Sequence, residues 1–396
     1  MMSAANITLH LPPPPTIAID TAYARLALGV AQHIPGLLQT YRGPDEWPNA
    51  VSAEAPSLEV LRQQAVEVAT TVQQSQFPRN QRDWLLRQTR ALLWLIRTQE
   101  GEEVIFSEQV RLLLDVPPES ADEAVFEMAQ DTLNALLPGS DSLAERWADW
   151  QARYTYPVAK ALPLLQQAVD TLAGLLGGDS PLLAAGLPTL DLDPTRDTVG
   201  YQNNRFYLPA DGTLRVDRLY HVAVQAITWH RLEATGSTIR LNRGPEQIIR
   251  QGLPQAILAG VDIYPTALPA LLAETDVPGL GANDRRTLHL AEDALAWAIG
   301  NTALLLHSEG LRPRALRRHL MAHALLTQAE AERCLAGLAQ PIDAAHVFAP
   351  LIGGPLLTAW LAHRKHSLTD LFSDPPVPSR MLFDVQSDQR RHHVNL

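Results

Sequence analysis

The feature that most constrains the fold is the helical spacing of apolar residues, which recurs along almost the whole sequence. Leu58 and Leu61 begin one apolar stripe, and Trp84, Leu92 and Leu95 belong to another, each with polar residues between them. The same spacing predicts further helices near 119–137, 141–155, 158–177, 214–235, 245–260, 284–308, 312–325, 327–340 and 355–372. The sequence therefore predicts a mainly α, multi-helical protein.

One short region has the composition of β-structure. Arg205–Leu208 and Thr213–Val216 are rich in aromatic and β-branched residues, and Pro209–Gly212 between them has the composition of a turn. We predict a small β-hairpin at this position, directly ahead of the helix that carries the motif of residues 215–233.

The segment 178–200 is rich in Gly, Pro and Asp and lacks an amphipathic period, so it is the predicted boundary between two helical halves. The predicted organisation is a Pro-rich extended N-terminus (1–17), an N-terminal helical half (18–185), a second helical half (186–385) and a polar tail (386–396). A groove between the two halves is the expected ligand site.

Composition excludes several classes of function. The 396 residues include 32 basic and 43 acidic side chains, a net charge of −11, which argues against a nucleic-acid partner. Cys334 is the one cysteine, so the chain cannot build a disulfide framework or a thiolate zinc site. The first residues lack the pattern of a secretory signal, and the apolar stretch Val347–Ala362 is short for a bilayer span. We expect a cytoplasmic protein without a membrane span.

Residues 215–233 (RVDRLYHVAVQAITWHRLE) carry the most informative pattern. They resemble the motif helix of a bacterial family of helical, gluzincin-type zinc metallopeptidase-like proteins, which reads approximately A-H-E-G-Y-P-G-H-H-T-E and precedes a later helix near P-E-x-x-I-S-E-G. Similar segments are Ala22–Leu28, Tyr41–Trp47, Pro245–Gly252, Asn301–Gly310 and Pro378–Arg380. The resemblance covers about residues 18–385 and implies a zincin-like helical scaffold that holds zinc in active relatives.

The positions that would form the zinc site are altered in this chain. Val224 stands where the family has its first zinc-binding His, and Gln225 stands where it has the catalytic Glu. His230 keeps one position of the family's His-His pair, and Gln251 replaces the Glu that is the third ligand. Ile352 lies where the family has an aromatic Tyr-x-Tyr-Gly stretch. The resemblance therefore implies a degenerate zinc motif.

These substitutions remove the chemistry of a metallopeptidase. Valine has no lone pair for a metal, and a neutral glutamine neither offsets the metal's charge nor accepts a proton from bound water. The family's two His lie six residues apart, about 120° around an ideal helix, so a distortion at Pro-Gly would be needed to bring them together. Thr228-Trp229 replaces that Pro-Gly, so we predict an undistorted helix. We expect no zinc, no other cofactor and no inherited catalytic residue.

Three functions remain open from the sequence. The leading hypothesis is a pseudoenzyme that binds a ligand or a protein partner in the former active-site groove. The second is a hydrolase of another kind that uses His230 and Glu233 as acid–base groups, either without a metal or with a relocated metal held with His221 or His307. The third is a structural or assembly protein. The plainer interpretation of His230 is a hydrogen-bonded side chain in a groove or core, and Trp229 is large enough to fill the former metal site.

Overall fold

The computed structural model describes residues 16–196, 199–202, 204–235, 239–261, 263–273, 281–362 and 366–394. The predicted Pro-rich N-terminus lies outside the described residues as far as residue 15. The helices are α1 (Thr16–His33), α2 (Glu46–Glu54), α3 (Leu58–Gln74), α4 (Arg79–Gln99), α5 (Phe106–Leu114), α6 (Glu123–Leu136), α7 (Leu143–Tyr154), α8 (Val158–Leu176), α9 (Leu219–Ala234), α10 (Glu246–Gly260), α11 (Ile263–Thr266), α12 (Leu268–Ala273), α13 (Ala282–His307), α14 (Pro313–His323), α15 (Gln328–Gly337), α16 (Pro341–His346), α17 (Phe348–Ala362), α18 (Leu368–Ser373) and α19 (Pro378–Val394).

The mainly α class is confirmed, and several helices begin where the local sequence supplies a cap. The Ser57 side chain accepts a hydrogen bond from the backbone N–H of Val60 at the start of α3. Capping boxes open α7, with Ser142 and Glu145, and α15, with Thr327 and Glu330. The predicted polar tail, from residue 386, continues α19 as far as Val394.

The strands are β1 (Leu38–Tyr41), β2 (Thr155–Pro157), β3 (Thr189–Asp193), β4 (Gly200–Gln202), β5 (Arg205–Pro209), β6 (Thr213–Arg215) and β7 (Ile239–Leu241). The predicted hairpin is wrong, although both of its strands exist as β5 and β6. Strand β5 pairs in parallel with β3 and antiparallel with β4, while β6 pairs antiparallel with β2. Because β3 and β4 occupy both edges of β5, no edge is left for β6.

The chain forms two compact units, and the division falls elsewhere than at residue 185. The first unit contains the described residues up to Glu103 together with β7, and the second contains the remainder. In the first unit α3 packs against α1 and α4, with Leu26, Leu61 and Leu92 fully buried, and β1 pairs antiparallel with β7. The segment 178–200 belongs inside the second unit because β3, within it, pairs with β5.

The second unit is built around α9 and α10, which carry the motif positions. Helix α9 packs on α8 and α10, and α10 packs along α17. The α10–α17 contact is unusually close: a Cβ added to Gly252 would lie 2.1 Å from the carbonyl carbon of Gly353. Glycine at both positions is therefore what allows the two helix backbones to meet.

One helical stretch among the described residues, Pro341–Ala362, is long and apolar enough to cross a membrane by length and composition. The sequence-based prediction considered only residues 347–362. The structure extends the helical stretch back through α16 to 22 residues, and 56% of its most apolar window is buried inside the protein. A bent pair, Glu246–Gly260 with Ile263–Ala273, passes the same test if it is taken as one span.

Candidate functional site

Helix α9 carries the first group of motif positions and is continuous from Leu219 to Ala234. A 3-10 turn, Val216–Arg218, leads into it from β6. The helix continues through Thr228, whose hydroxyl donates to the carbonyl oxygen of Val224 at 2.8 Å. The helix is not interrupted at Thr228-Trp229, in agreement with the prediction that it continues through this position.

The four positions that the resemblance aligns with the zinc site, Val224, Gln225, Gln251 and Ile352, present two aliphatic groups and two neutral amides. Val224 is fully buried, and Ile352 on α17 is 6% exposed. Gln225 and Gln251 are half-buried, and the Gln251 amide lies 3.5 Å from Oε1 of Gln247 within α10. None of the four supplies a charged or basic atom, so they cannot hold a divalent cation together.

His230 is buried, and protein atoms occupy both of its ring nitrogens. Nε2 lies 3.0 Å from the carbonyl oxygen of Ala185, and Nδ1 lies 2.6 Å from the hydroxyl oxygen of Tyr201. A carbonyl oxygen can only accept, so Nε2 carries a proton and donates it. In the neutral ring Nδ1 then accepts from the Tyr201 hydroxyl, and no lone pair of His230 remains for a metal.

Trp229 fills the space between α9 and α10. Its indole N–H donates to the carbonyl oxygen of Arg250 at 3.1 Å, and the Arg250 guanidinium carbon lies 4.0 Å from the indole ring centroid. The same guanidinium lies 3.4 Å from a carboxylate oxygen of Glu233. The Phe206 ring of β5 packs against the indole at a centroid distance of 5.8 Å. Glu233 thus faces an arginine in the interior instead of an accessible groove.

The residues considered for a relocated metal site are not brought together. His221 accepts a hydrogen bond at Nε2 from the Arg218 guanidinium, 2.8 Å away. His307 donates from Nε2 to the carbonyl oxygen of Leu338 at 2.8 Å, while its ring lies 4.8 Å from that of Phe106. Across the described ranges, no group of three or more His, Cys, Asp or Glu side chains is placed to hold a metal ion.

A buried ionic cluster next to α9 was not predicted from the sequence. Arg215 binds Asp217 at 2.7 Å and also Glu292 of α13, while Arg218 binds Glu292 and, at 3.1 Å, Asp293. Asp217 and Glu292 also flank His289, with contacts of 3.4 and 3.6 Å to its two ring nitrogens. The cluster ties the residues that lead into α9 to the middle of α13.

Several groups in and beside the cluster have shifted pKa values. Burial would raise the pKa of Glu292, but the charges of Arg218 and Arg215 outweigh burial and hold it well below its usual value. Burial lowers the pKa of His221 well below the ordinary value, and the neighbouring Arg218 lowers it further. Burial also lowers the pKa of His289. It raises to about 12 the pKa of Tyr264 on α11, whose ring centroid lies 5.6 Å from that of His289. Both imidazoles are therefore neutral at pH 7.

A cavity of about 500 Å³ opens beside this cluster in the second unit. Its walls come from α7, β2, β6, the 3-10 turn Val216–Arg218, the first turn of α9, the first turn of α15 and the loop from α14 to α15, which contributes Leu325 and Thr327. Arg215, Arg218 and Glu330 are its charged lining residues. In the sequence, the only signal for this site is the presence of charged residues just before the apolar helix α9. The signal is weak because the partners of these residues on α13 are more than 70 residues away.

Comparisons of the chain with protein families, with curated proteins and with solved structures give no match.

Proposed function

We propose that this protein is a non-catalytic relative of helical gluzincin-type zinc metallopeptidases and acts by binding a ligand or a protein partner. The observation that carries the proposal is the state of His230, the one inherited ligand, whose two ring nitrogens are bonded to Tyr201 and Ala185. A metal at His230 would have to break one of these buried hydrogen bonds, and Val224 would offer it no second ligand.

The same geometry speaks against an acid–base enzyme that uses His230 and Glu233. Both side chains are buried, at 3% and 2% exposure, so neither meets a substrate from solution. Glu233 is also engaged by Arg250, whose guanidinium lies 3.4 Å from its carboxylate. Gln225 and Gln251 remain the half-buried polar side chains of the former site, and they suit hydrogen bonding to a neutral polar partner.

Elemental analysis of the purified, untagged full chain tests the loss of the metal site. After dialysis against chelator and addition of zinc, we expect less than about a tenth of an equivalent of bound zinc. We also expect the same value for His230→Ala and for His33→Ala, which changes an exposed histidine and reports adventitious surface binding. Near one equivalent in the native chain, lost in His230→Ala and kept in His33→Ala, would overturn the proposal, as would zinc-dependent peptide hydrolysis with the same dependence.

A further inference from the structure

Helix α14 carries positive charge on its exposed face. Arg314 and Arg318 lie about one turn apart on this face, and neither forms a hydrogen bond or an ion pair with any residue that the structure describes. Arg317 beside them binds Glu332 of α15 at 2.9 Å. Residues 310–327 contain four arginines and no acidic side chain, in a chain whose net charge is −11. The exposed face of α14 therefore reverses the charge of the chain locally.

This arrangement of charge does not favour the helix itself. Positive side chains near the start of a helix oppose its dipole, and the first turn of α14 has no acidic residue to offset them. Arg314 and Arg318 also repel each other, because they are four residues apart. A natural sequence that breaks such local rules without a structural gain commonly does so at a functional surface.

Helix α6 carries the opposite charge on its exposed face. Glu123, Glu127 and Asp131 recur at intervals of four residues, and within the described ranges none of the three forms an ion pair. Residues 112–134 contain six acidic side chains and no basic one. Met128 lies among these carboxylates with 70% of its surface exposed, which is unusual for a large apolar side chain on a charged helix.

The acidic and the basic helix are neighbours in the second unit. Both pack on α13, and they also contact each other. The Phe126 ring of α6 lies 5.4 Å from the His323 ring of α14, and the Gln130 amide donates to the carbonyl oxygen of Ala322 at 2.7 Å. Met321 is 38% exposed on α14. The two helices therefore form one surface with a negative side, a positive side and an exposed methionine on each.

We propose that two copies of this chain form a symmetric dimer in which α6 of each copy packs against α14 of the other. A two-fold contact needs a surface that is complementary to itself, and adjacent strips of opposite charge have this property. A two-fold axis that runs between the helices places each acidic helix opposite a basic one. An axis that crosses them would instead oppose like charges, so the charge pattern selects a single arrangement.

The exposed methionines fit the same contact, because methionine is enriched at protein interfaces and adapts to an irregular surface. The inference goes beyond the proposed function, since the dimer requires nothing of His230 or of the former metal site. The two proposals can therefore fail separately.

Sedimentation equilibrium of the full chain at increasing concentration measures the association. We expect a dimer with a dissociation constant of about 10–100 μM, because the contact is small and largely charged. Raising the salt concentration from about 0.1 M to about 1 M should weaken it at least tenfold, since the screening length falls from about 10 Å to about 3 Å. A monomer up to about 500 μM, or a dimer that salt does not weaken, would overturn the proposal.

Charge reversal on either helix tests the arrangement. Arg314→Glu/Arg318→Glu and Glu127→Arg/Asp131→Arg should each be monomeric, because each opposes like charges in both halves of the dimer. An equimolar mixture of the two variants should dimerise again, since every contact then joins opposite charges. This recovery also shows that both variants are folded.

A matched control and a competing partner complete the test. Glu59→Arg/Glu67→Arg makes the same change of net charge at exposed positions of α3 and should leave the dimer intact. A mixture that stays monomeric, although each variant unfolds as cooperatively as the native chain, would contradict the dimer. A native chain that stays monomeric but binds vesicles of anionic phospholipid, with binding lost in Arg314→Glu/Arg318→Glu, would replace the dimer by a membrane contact of α14.

Discussion

The close contact between α10 and α17 makes Gly252→Ala the most decisive test of the fold around the site. A Cβ on Gly252 would lie 2.1 Å from the carbonyl carbon and 2.4 Å from the carbonyl oxygen of Gly353. Ordinary contact between carbon atoms needs about 3.5 Å, so the two backbones would have to separate by more than about 1 Å. No side-chain rotation can relieve this clash, because the atoms that the added Cβ meets all belong to the backbone of Gly353.

The expected loss of stability follows from two opposing effects. Overpacking costs up to about 3 kcal/mol or somewhat more, and a clash between backbones belongs at the upper end of that range. Alanine's higher helix propensity returns about 1 kcal/mol. We expect Gly252→Ala to lower the free energy of unfolding of the second unit by about 2 kcal/mol or more.

Urea denaturation followed by tryptophan fluorescence measures this loss, since Trp360 lies buried on α17 and Trp229 is buried against α10. The matched control is Gly174→Ala within α8, where an added Cβ meets no atom within 4 Å. The control should be stabilised by up to about 1 kcal/mol. If Gly252→Ala were as stable as Gly174→Ala, the backbones of α10 and α17 could not be in such close contact, and the expected clash would be refuted.

Three further predictions concern the interior of the second unit. Trp229→Ala should lower the free energy of unfolding by about 3–5 kcal/mol, and a loss below about 1 kcal/mol in denaturant titration would contradict its place in the core. Tyr201→Phe leaves Nδ1 of His230 without its hydroxyl donor and should cost about 1–3 kcal/mol in the same assay; an unchanged midpoint would count against that hydrogen bond. Stability should fall between pH 7 and pH 5, because the unfolded chain protonates His221 and His289 near pH 6.5 whereas their lowered pKa values keep them neutral in the folded state. Each can contribute up to about 1.4 kcal/mol per pH unit, and His289→Gln should flatten the profile measured by denaturation at each pH.

The helices were largely predictable because their signal is local. The apolar spacing that predicted residues 158–177 and 245–260 corresponds to α8 and α10 within one residue at each end. The hairpin failed because strand pairing is not a local property. The composition of Arg205–Leu208 identifies a strand, but only the positions of β3 and β4, which sequence spacing does not reveal, decide that it has no free edge.

The candidate site was predictable only as a set of substitutions. The side chains at 224, 225 and 251 can be read against the chemistry of zinc, and the resemblance supplies the positions. The sequence could not show where Tyr201 and Ala185 lie relative to His230, or that Arg215 meets Glu292 across 77 residues. Those contacts depend on how helices and loops pack, and local patterns in one sequence do not specify that packing.

The contacts of Trp229 explain how the proposed loss of zinc is compatible with a stable second unit. A zinc ion with ligands from α9 and α10 would join the two helices, and its binding would contribute to folding. In this structure two contacts connect the helices. The Trp229 N–H donates a hydrogen bond to the Arg250 carbonyl oxygen, and Glu233 forms an ion pair with the Arg250 guanidinium. A buried ion pair contributes little net stability once desolvation is counted. Burial of the Trp229 indole therefore stabilises the contact between α9 and α10 more than the ion pair does, by about 2–3 kcal/mol. The indole of Trp229 lies between the two helices, so its burial is the largest contribution that these contacts make to holding α9 against α10.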